Sequence, residues 1–368
     1  MRHTVMAIDD VLENLEILEA ILEDTYHVIK VTGGLEAFEL LDNGANPDLI
    51  LLDLSMPDMD GFEFLEKMRE NENYVGIPVI FVTGYNDSFS EEKGLRLGAV
   101  DYIKKPYEPN IIRVKMRNHI ELKTYRDNLS EAVAERTKQL EERTQELYEA
   151  HSAIIMGMSL LSESHDKTTG SHLLRMKLIT KIIAENIAKN YPAILNKEMV
   201  DLIIMYAPLH DIGKVSVPDA ILKKQGALTA EEFNQMKEHS KGGGDLLRQL
   251  ADLIPNERTH LITAIEIAES HHERFDGTGY PNRLVGEEIP LSARIVSIAD
   301  IYDALRSPRP YKRGFTHEEA MDIILKGDGR TEPVHFDPLV LHAFKETNEA
   351  LRYAYDSNPD PHVGAANN

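Results

Sequence analysis

Two short segments of the sequence hold metal-ligand side chains, one near residue 211 and one near residue 272. The first contains His210 and Asp211 at the end of an apolar run, and the second contains the doublet His271-His272. A lone histidine is usually an ordinary core or surface imidazole. Clusters at the ends of apolar segments differ, because a rigid scaffold can aim them at one point. Imidazole and carboxylate donors together predict a buried metal centre.

The same part of the chain holds enough donors for more than one ion. Two ions about 3.5–4 Å apart can hold a hydroxide and clamp a phosphodiester for in-line attack, and a carboxylate such as Asp211 can bridge them. Lys214 lies one helical turn after Asp211, where it can neutralise a phosphate oxygen. We therefore predict Asp211 and Lys214 as catalytic residues. The candidate metal ligands are His172, His210, Asp211, His239, His271, His272 and Asp300.

Composition limits the partners that this chain can have. Its 368 residues suggest two or three domains, and 0 cysteines leave only nitrogen and oxygen donors for a metal. A net charge of −22 disfavours binding to nucleic acid polymers. A small anionic ligand needs a local basic cluster, which Arg306, Arg309, Lys312 and Arg313 offer. Neither a signal peptide nor a membrane-length apolar run is present, so we expect a cytoplasmic protein without a membrane partner.

Residues 4 to about 120 alternate short apolar strands with helical stretches. This rhythm predicts a doubly wound, five-stranded parallel sheet of flavodoxin-like type. The predicted strands are Val5–Ile8, Val28–Val31, Leu49–Leu52, Val79–Val82 and Val100–Ile103.

Acidic and phosphate-binding residue types follow these strands. Asp9 and Asp10 come after the first strand, Asp53 ends the third, Thr83 follows the fourth and Lys105 follows the fifth. Ligands of such sheets bind beyond the carboxyl ends of the strands. Carboxylates that converge there suit magnesium, and a lysine with a hydroxyl can hold a phosphoryl group. Helix capping is an alternative for either Asp9 or Asp10 alone, but it explains neither Thr83 nor Lys105.

These features resemble the response-regulator receiver domain over residues 1–122. The loop Met56-Pro-Asp-Met-Asp-Gly61 also matches. The resemblance implies that a histidine kinase is the partner that phosphorylates Asp53. It further implies magnesium binding by Asp9 and Asp10, contact with the phosphoryl group for Thr83 and Lys105, and a switch role for the aromatic Tyr102.

The segment from Asn110 to about Ser162 contains no proline and is rich in charged residues and glutamine. Apolar residues recur every seven positions, at Val133, Leu140, Leu147, Ile154 and Leu161. This spacing predicts one long helix with a single apolar seam, which we interpret as a signalling helix supported by a homodimer. Because polar residues fall near the second heptad position, a solvated spacer helix is the alternative.

The remainder to Tyr355 has helical apolar periodicity without strands, which predicts a separate all-helical domain. The chain from Asp356 onward has little apolar content and is predicted to be disordered. We therefore expect a receiver domain at 1–122, a helical linker at 123–160, a helical domain at 161–355 and a tail at 356–368.

The helical domain resembles the HD-GYP family of metal-dependent phosphohydrolases from about residue 160 to 345. The matching motifs are His210-Asp-Ile-Gly-Lys214, His271-His-Glu-Arg-Phe-Asp-Gly-Thr-Gly-Tyr-Pro281, Ile289-Pro-Leu, Ala293-Arg-Ile, and Ala299-Asp-Ile-Tyr-Asp-Ala-Leu305 with Arg309-Pro-Tyr-Lys312. The resemblance implies hydrolysis of cyclic di-GMP to pGpG and, in some members, GMP. It places Gly279, Tyr280, Asp303, Arg309 and Lys312 in the dinucleotide site, where an aromatic ring stacks on guanine and cations meet the phosphates.

One position departs from the family pattern. Thr168 stands where many members have a glutamate that helps to hold a third metal. We therefore expect two metal ions, with iron or manganese preferred and nickel or zinc as alternatives. A phosphodiesterase that prefers pGpG or another cyclic dinucleotide, a general HD-type nucleotide phosphohydrolase, and a dinucleotide sensor or interaction module with little catalysis remain open.

The run Gly242-Gly-Gly-Asp245 superficially matches a cyclase signature that makes cyclic di-GMP, but Leu246 and Leu247 stand where further acidic and aromatic residues belong. We interpret these glycines as allowing close packing beside His239.

Overall fold

The computed structural model describes residues 2–84, 88–163, 170–254, 258–308 and 313–360. The chain divides into two compact units, which we call the first unit (Met1–Arg143) and the second unit (Thr144–Asn368). Of the residues singled out above, Thr168, Arg309 and Lys312 lie outside the described residues, as does 361–368 at the end of the chain.

The first unit is built around a parallel sheet of five strands in the order β2-β1-β3-β4-β5. The predicted doubly wound sheet is thereby confirmed. The strands are β1 (Thr4–Ile8), β2 (His27–Val31), β3 (Leu49–Asp53), β4 (Val79–Thr83) and β5 (Asp101–Lys104). The helices between them are α1 (Leu12–Leu22), α2 (Gly34–Asp42), α3 (Gly61–Glu70) and α4 (Ser88–Arg96).

Helices cover both faces of this sheet, so its three inner strands, β1, β3 and β4, are apolar at nearly every position. Side chains alternate between the faces along a strand, and β1 shows the result. Met6 and Ile8 belong to the core on one face, whereas Val5 and Ala7 belong to the core on the other. All strands run in parallel, so their carboxyl ends lie along one edge, where the predicted acidic residues follow.

A single helix, α5 (Pro109–Glu163), contains 55 residues and continues from the first unit into the second. The predicted long helix is confirmed. Its predicted seam residues are all exposed, from 56% for Val133 to 74% for Leu161. A different face of its last turns is buried and consists of Ile155, Ser159 and Ser162-Glu163. Over the part of the chain that the structure describes, no helix is both long and apolar enough to cross a membrane.

The second unit is helical throughout its described ranges, in agreement with the predicted all-α domain. One apolar core joins its helices, with Ile183, Ile203, Ile267 and Ile298 among its fully or nearly fully buried residues. The helices are α6 (Gly170–Asn190), α7 (Lys197–Tyr206), α8 (Asp219–Leu222), α9 (Ala230–Leu253), α10 (Arg258–Ser270), α11 (Leu291–Arg306), α12 (His317–Lys326), α13 (Pro338–Glu346) and α14 (Asn348–Asp356).

Local sequence signals fix where several of these helices begin. The Thr229 hydroxyl accepts a hydrogen bond from the backbone N–H of Glu232, whose side chain accepts one from the Thr229 N–H. This reciprocal capping box satisfies two otherwise unpaired donors at the start of α9. The same arrangement at Thr316 and Glu319 begins α12. A 3-10 helix, Ala207–Ser216, follows α7 directly and carries the His210-Asp211 pair.

Candidate metal centre

The predicted metal ligands converge in the second unit from five separate elements. Asp211 and His210 come from the 3-10 helix Ala207–Ser216, and His239 comes from α9. His271 and His272 follow the last residue of α10, Asp300 lies on α11, and His172 lies near the start of α6. The core described above joins these elements, so the ligands are held by a rigid scaffold.

Two glycines allow the close contact that brings His239 to Asp211. A Cβ atom on Gly213 would lie 1.9 Å from the His239 carbonyl oxygen and 2.4 Å from the Gly243 nitrogen. Only glycine therefore lets α9 pack against the 3-10 helix at this point. The prediction that the glycines at 242–244 allow close packing beside His239 is confirmed.

Three of the imidazoles are oriented by backbone carbonyl groups. In His210, His239 and His271, Nδ1 lies 2.7–3.1 Å from a carbonyl oxygen three or four residues earlier in the chain. This contact assigns the N–H to Nδ1 and leaves the Nε2 lone pair for another partner. The Nε2 atoms of His210 and His271 are buried and have no hydrogen-bond partner among the described residues. Such orphaned lone pairs are expected of metal ligands.

A first donor set consists of Asp211, His239, His271 and His272. One ligand atom of each residue lies within 4.8 Å of the corresponding atoms of the others. Asp211 Oδ1 is 3.1 Å from His239 Nε2 and 3.7 Å from His271 Nε2. Burial, followed by the neighbouring imidazole of His239, lowers the pKa of His272 to about 4. That ring is therefore neutral at pH 7 and can donate a lone pair to a metal.

A second donor set consists of Glu163, His172 and His210, whose ligand atoms also lie within 4.8 Å of one another. Glu163 was not among the predicted ligands. It is 1% exposed, and both of its carboxylate oxygens lack a hydrogen-bond partner among the described residues. Burial raises the pKa of Glu163 to about 7, against the opposing effect of His210.

Asp211 joins the two donor sets. Its Oδ1 faces the first set, while its Oδ2 lies 3.3 Å from His210 Nε2 and 2.7 Å from Lys214 Nζ. Burial alone would raise the pKa of Asp211, but Lys214 and His210 hold it well below its usual range. Asp300 Oδ1 lies 3.9 Å from His210 Nε2. The donors present, which are imidazoles with oriented lone pairs and carboxylates, fit borderline divalent metals.

His172 is oriented by a buried carboxylate, Asp303. Its Nδ1 is 2.7 Å from Asp303 Oδ2, and Arg175 Nε and Nη2 donate to the two oxygens of the same carboxylate at 2.5 and 3.0 Å. Asp303 and Arg175 are each 1% exposed. Asp303, which is predicted to line the dinucleotide site, is therefore enclosed by His172 and Arg175 in the structure.

The segment after His272 forms a loop held by Glu273. The buried carboxylate of Glu273 accepts hydrogen bonds from the backbone N–H groups of residues 282, 283 and 284. A Cβ atom on Gly279 would lie 2.3 Å from the Arg274 nitrogen, so glycine is required for the loop to close. This closure places the Tyr280 ring 4.8 Å from the His272 ring, and Lys237 Nζ lies 5.6 Å from the centre of the Tyr280 ring.

The predicted basic cluster is only partly described. Arg306 pairs with Asp356 at 2.7 Å, and Arg313 pairs with Glu319 at 2.8 Å. Both guanidinium groups are thus engaged by carboxylates of the chain itself. Arg309 and Lys312, the two members predicted to bind substrate, lie outside the described residues.

The first unit brings its predicted residues together at the carboxyl edge of the sheet. Lys105 Nζ lies 2.9 Å from Asp9 Oδ2 and 2.6 Å from Asp53 Oδ1. Burial raises the pKa of Asp53, while its hydrogen bond to Lys105 acts in the opposite direction. Thr83 is buried at the end of β4, and Asp10 is exposed at the same edge. The site thus contains the predicted phosphoacceptor Asp53, a lysine and a hydroxyl.

Two further features surround this edge. Gly61 begins α3 close to Asp53, and a Cβ atom at this position would lie 2.6 Å from the Asp53 carbonyl oxygen. Tyr102, the predicted switch aromatic, is half-buried on β5, and Lys115 Nζ lies 4.7 Å from the centre of its ring.

Three residues near the metal-ligand cluster escaped sequence reasoning: Glu163, Arg175 and Lys237. A signal existed for Glu163, since Ile155, Ser159 and Ser162-Glu163 recur at helical spacing and mark a second face of α5. Because polar residues dominate that face, only the apolar seam was predicted as a contact surface of the helix. For Arg175 and Lys237 the sequence carries no comparable signal, because only their contacts in the folded chain distinguish them from solvent-facing cations.

Comparison with known families finds two matching family models along the chain. The family model for the response regulator receiver domain matches residues 5–117, and the model for the HD domain matches residues 129–340.

Relatives of known name cover most of the chain. A probable cyclic di-GMP phosphodiesterase of Vibrio cholerae serotype O1 is 39% identical over 93% of this chain and 77% of its own length. The cyclic di-GMP phosphodiesterase response regulator RpfG of Xanthomonas campestris pv. campestris is 34% identical over 92% of this chain and 86% of its own. A 3'3'-cGAMP-specific phosphodiesterase 2 of Vibrio cholerae is 36% identical over 55% of this chain and 35% of its own length.

Proposed function

Because the chain belongs to the family of response regulators that join an N-terminal receiver domain to a C-terminal HD domain, we propose that it is a metal-dependent phosphodiesterase of cyclic di-GMP. The observation that carries the proposal is the pair of donor sets joined by Asp211, with buried Nε2 atoms that lack a partner among the described residues. The two relatives described above that match over more than nine-tenths of this chain bear names of cyclic di-GMP phosphodiesterases.

We assign the following roles to the residues of this centre. Two ions, with iron or manganese preferred, would be held by the first donor set and by His172 and His210, with Asp300 as a further ligand beside His210. They would supply an activated hydroxide and a clamp on the phosphodiester. Asp211 faces both sets and is placed to bridge them. Lys214 Nζ lies 2.7 Å from Asp211 Oδ2. Its positive charge can stabilise the negative charge that develops on a phosphate oxygen during hydrolysis. Asp303 acts as a positioning residue for His172.

A dinucleotide substrate suits the surface beside the metal ligands. Tyr280 offers a ring next to His272, and such a ring can stack on guanine. Lys237 lies over the same ring and provides a cation for a phosphate. We propose cyclic di-GMP as the substrate, with pGpG as product and GMP as its further product.

Product analysis tests this function directly. The full-length chain, loaded with manganese or with iron under anaerobic conditions, is incubated with cyclic di-GMP, pGpG and 3'3'-cGAMP, and products are separated by chromatography. We expect cyclic di-GMP to be hydrolysed faster than the other two substrates, with pGpG as its product. Tight binding of cyclic di-GMP without any product would instead identify a sensor, and faster hydrolysis of 3'3'-cGAMP would reassign the substrate.

We further propose that the receiver site takes a phosphoryl group on Asp53 from a histidine kinase, with magnesium held by Asp9 and Asp10. The contacts of Lys105 with Asp9 and Asp53 support this role, because the same lysine can contact a phosphoryl oxygen once Asp53 is modified. Phosphorylation is then expected to change the hydrolysis rate through α5. Rates measured with and without acetyl phosphate, in wild type and in Asp53→Asn, test the coupling. Identical rates in all four samples exclude it.

We propose that a second copy of the chain covers the seam of α5. Its apolar residues recur at seven-residue spacing and are exposed, and an identical helix offers the matching repeat. Leu147→Glu is expected to yield a monomer in light scattering, whereas Glu141→Lys, at an exposed polar position of the same helix, is expected to leave a dimer. A monomeric wild type excludes the pairing.

A further inference from the structure

The end of α5 carries a buried carboxylate that the roles assigned above do not use. Glu163 is 1% exposed, and neither of its oxygens has a hydrogen-bond partner among the described residues. Buried carboxylates are normally paired, hydrogen-bonded or bound to a metal, because removing their charge from water without compensation is unfavourable. The burial of Glu163 without a hydrogen-bond partner among the described residues is therefore typical of a carboxylate that binds a metal ion.

The nearest donors around Glu163 are metal-ligand types. One of its oxygens and one ring nitrogen each of His172 and His210 lie within 4.8 Å of one another. Ligand atoms about 2.0–2.2 Å from one ion are at most about 4.4 Å apart. Since the three atoms are no more than 4.8 Å apart, they need to move together by at most a few tenths of an ångström. All three groups can therefore reach one ion.

Neighbouring contacts fix these groups in place. The Ser162 hydroxyl lies 3.0 Å from the Asp211 carbonyl oxygen and 2.9 Å from the Ile212 carbonyl oxygen, which ties the end of α5 to the 3-10 helix. His172 engages Asp303 through Nδ1, so its Nε2 remains for a ligand. The Nε2 atom of His210 has no hydrogen-bond partner among the described residues. The three donors are thus held independently of one another.

We propose that Glu163 is a carboxylate ligand of the second metal ion, which it binds together with His172 and His210. This rests on the metal-dependent function proposed above and deepens it. Thr168 stands where the resemblance expects a carboxylate ligand, and Glu163 supplies a carboxylate from another position. The last residue of the helix that begins at Pro109 then contributes directly to the metal centre.

Metal counting on the full-length chain tests the assignment. Metal-free protein is titrated with manganese alone, bound ions are counted after dialysis, and their positions are found by anomalous scattering. Wild type is expected to bind two ions, whereas Glu163→Gln is expected to keep the ion at His239 and His271 and to lose the one at His172. Glu149→Gln, an exposed change on the same helix, is the matched control and should bind two.

Each outcome decides the proposal. If Glu163→Gln binds two ions with wild-type affinity, Glu163 is not a ligand. If Glu163→Gln does not fold by circular dichroism, Glu163→Asp replaces it, and a weakened second ion with an unchanged first supports the role, whereas two unchanged affinities overturn it. A wild type that binds a single ion also overturns it. Hydrolysis is measured separately: two ions in wild type and one in Glu163→Gln, without hydrolysis by wild type, support the ligand role while refuting the phosphodiesterase function.

Discussion

The two acidic sites of this protein neutralise their carboxylates in different ways. In the receiver, Lys105 lies within 2.9 Å of both Asp9 and Asp53, so the site is internally paired. In the HD domain, the Nε2 atoms of His210 and His271 and both oxygens of Glu163 are buried without a hydrogen-bond partner among the described residues. The two receiver carboxylates thus share a lysine partner, whereas these buried donor atoms of the HD domain have no hydrogen-bond partner among the described residues.

This difference follows from chemistry. A receiver must accept and lose a phosphoryl group, so its acceptor has to be stable in both states, and a lysine that can move between carboxylate and phosphate permits that. A hydrolytic metal centre must keep its ions through each turnover. Imidazoles whose rings are oriented by backbone carbonyls favour tight metal binding.

Metal removal should separate the two regions most strongly. We expect a chelator to abolish hydrolysis and to destabilise the HD domain by about 2.7 kcal/mol relative to protein with metal at 100 times its Kd. Hydrogen exchange on the full-length chain should then increase in α9 and α10 but not in β3. An equal increase in both regions would contradict the proposed contrast.

Matched Asp→Asn changes should have different consequences in the two sites. Asp211→Asn removes the carboxylate that faces both donor sets, and we expect kcat/KM to fall by about 10²–10³-fold, as for the loss of one preorganised electrostatic group. Asp53→Asn should abolish labelling by acetyl phosphate and leave the metal content at the wild-type value. Metal loss in Asp53→Asn would show that the sites are not separate.

Asp303→Asn tests whether Asp303 positions the proposed metal ligand His172, and it leaves that histidine itself unchanged. His172 would lose its charged partner, so we expect the affinity of the second ion to weaken about 10–100-fold. Asp337→Asn is the control, because Asp337 is also buried and paired with an arginine, Arg294. If both variants weaken manganese binding equally in titration calorimetry, the effect reflects general destabilisation and not ligand orientation.

The smallest effect is expected at the end of α5. Ser162→Ala removes the hydroxyl near the carbonyl groups of Asp211 and Ile212, which should lower the free energy of unfolding by about 1 kcal/mol. Ser130→Ala, at an exposed position of the same helix, should cost less. Denaturant titration compares them, and equal midpoints would indicate that the Ser162 contact contributes nothing to stability.

Much of this architecture was determined by the sequence alone. The alternation of apolar strands and helices predicted the receiver sheet, because a strand buried on both faces has a nearly continuous apolar run, as Leu49–Leu52 of β3 shows. Runs such as His210-Asp211 and His271-His272 marked the metal-ligand elements, since few folds concentrate these donors otherwise. The seven-residue apolar spacing, together with the absence of proline from 110 to 162, predicted α5 as one helix.

Only the tertiary structure decided which side chains serve the centre and from which direction. Asp303 looked like a substrate contact, but packing encloses it between His172 and Arg175. Glu163 looked like one more charge on a charged helix, but folding brings its carboxylate within 4.8 Å of ring nitrogens of His172 and His210. Spacing along a chain shows which residues share a face of one helix, whereas burial and the approach of other helices depend on distant residues and are set only when the core forms.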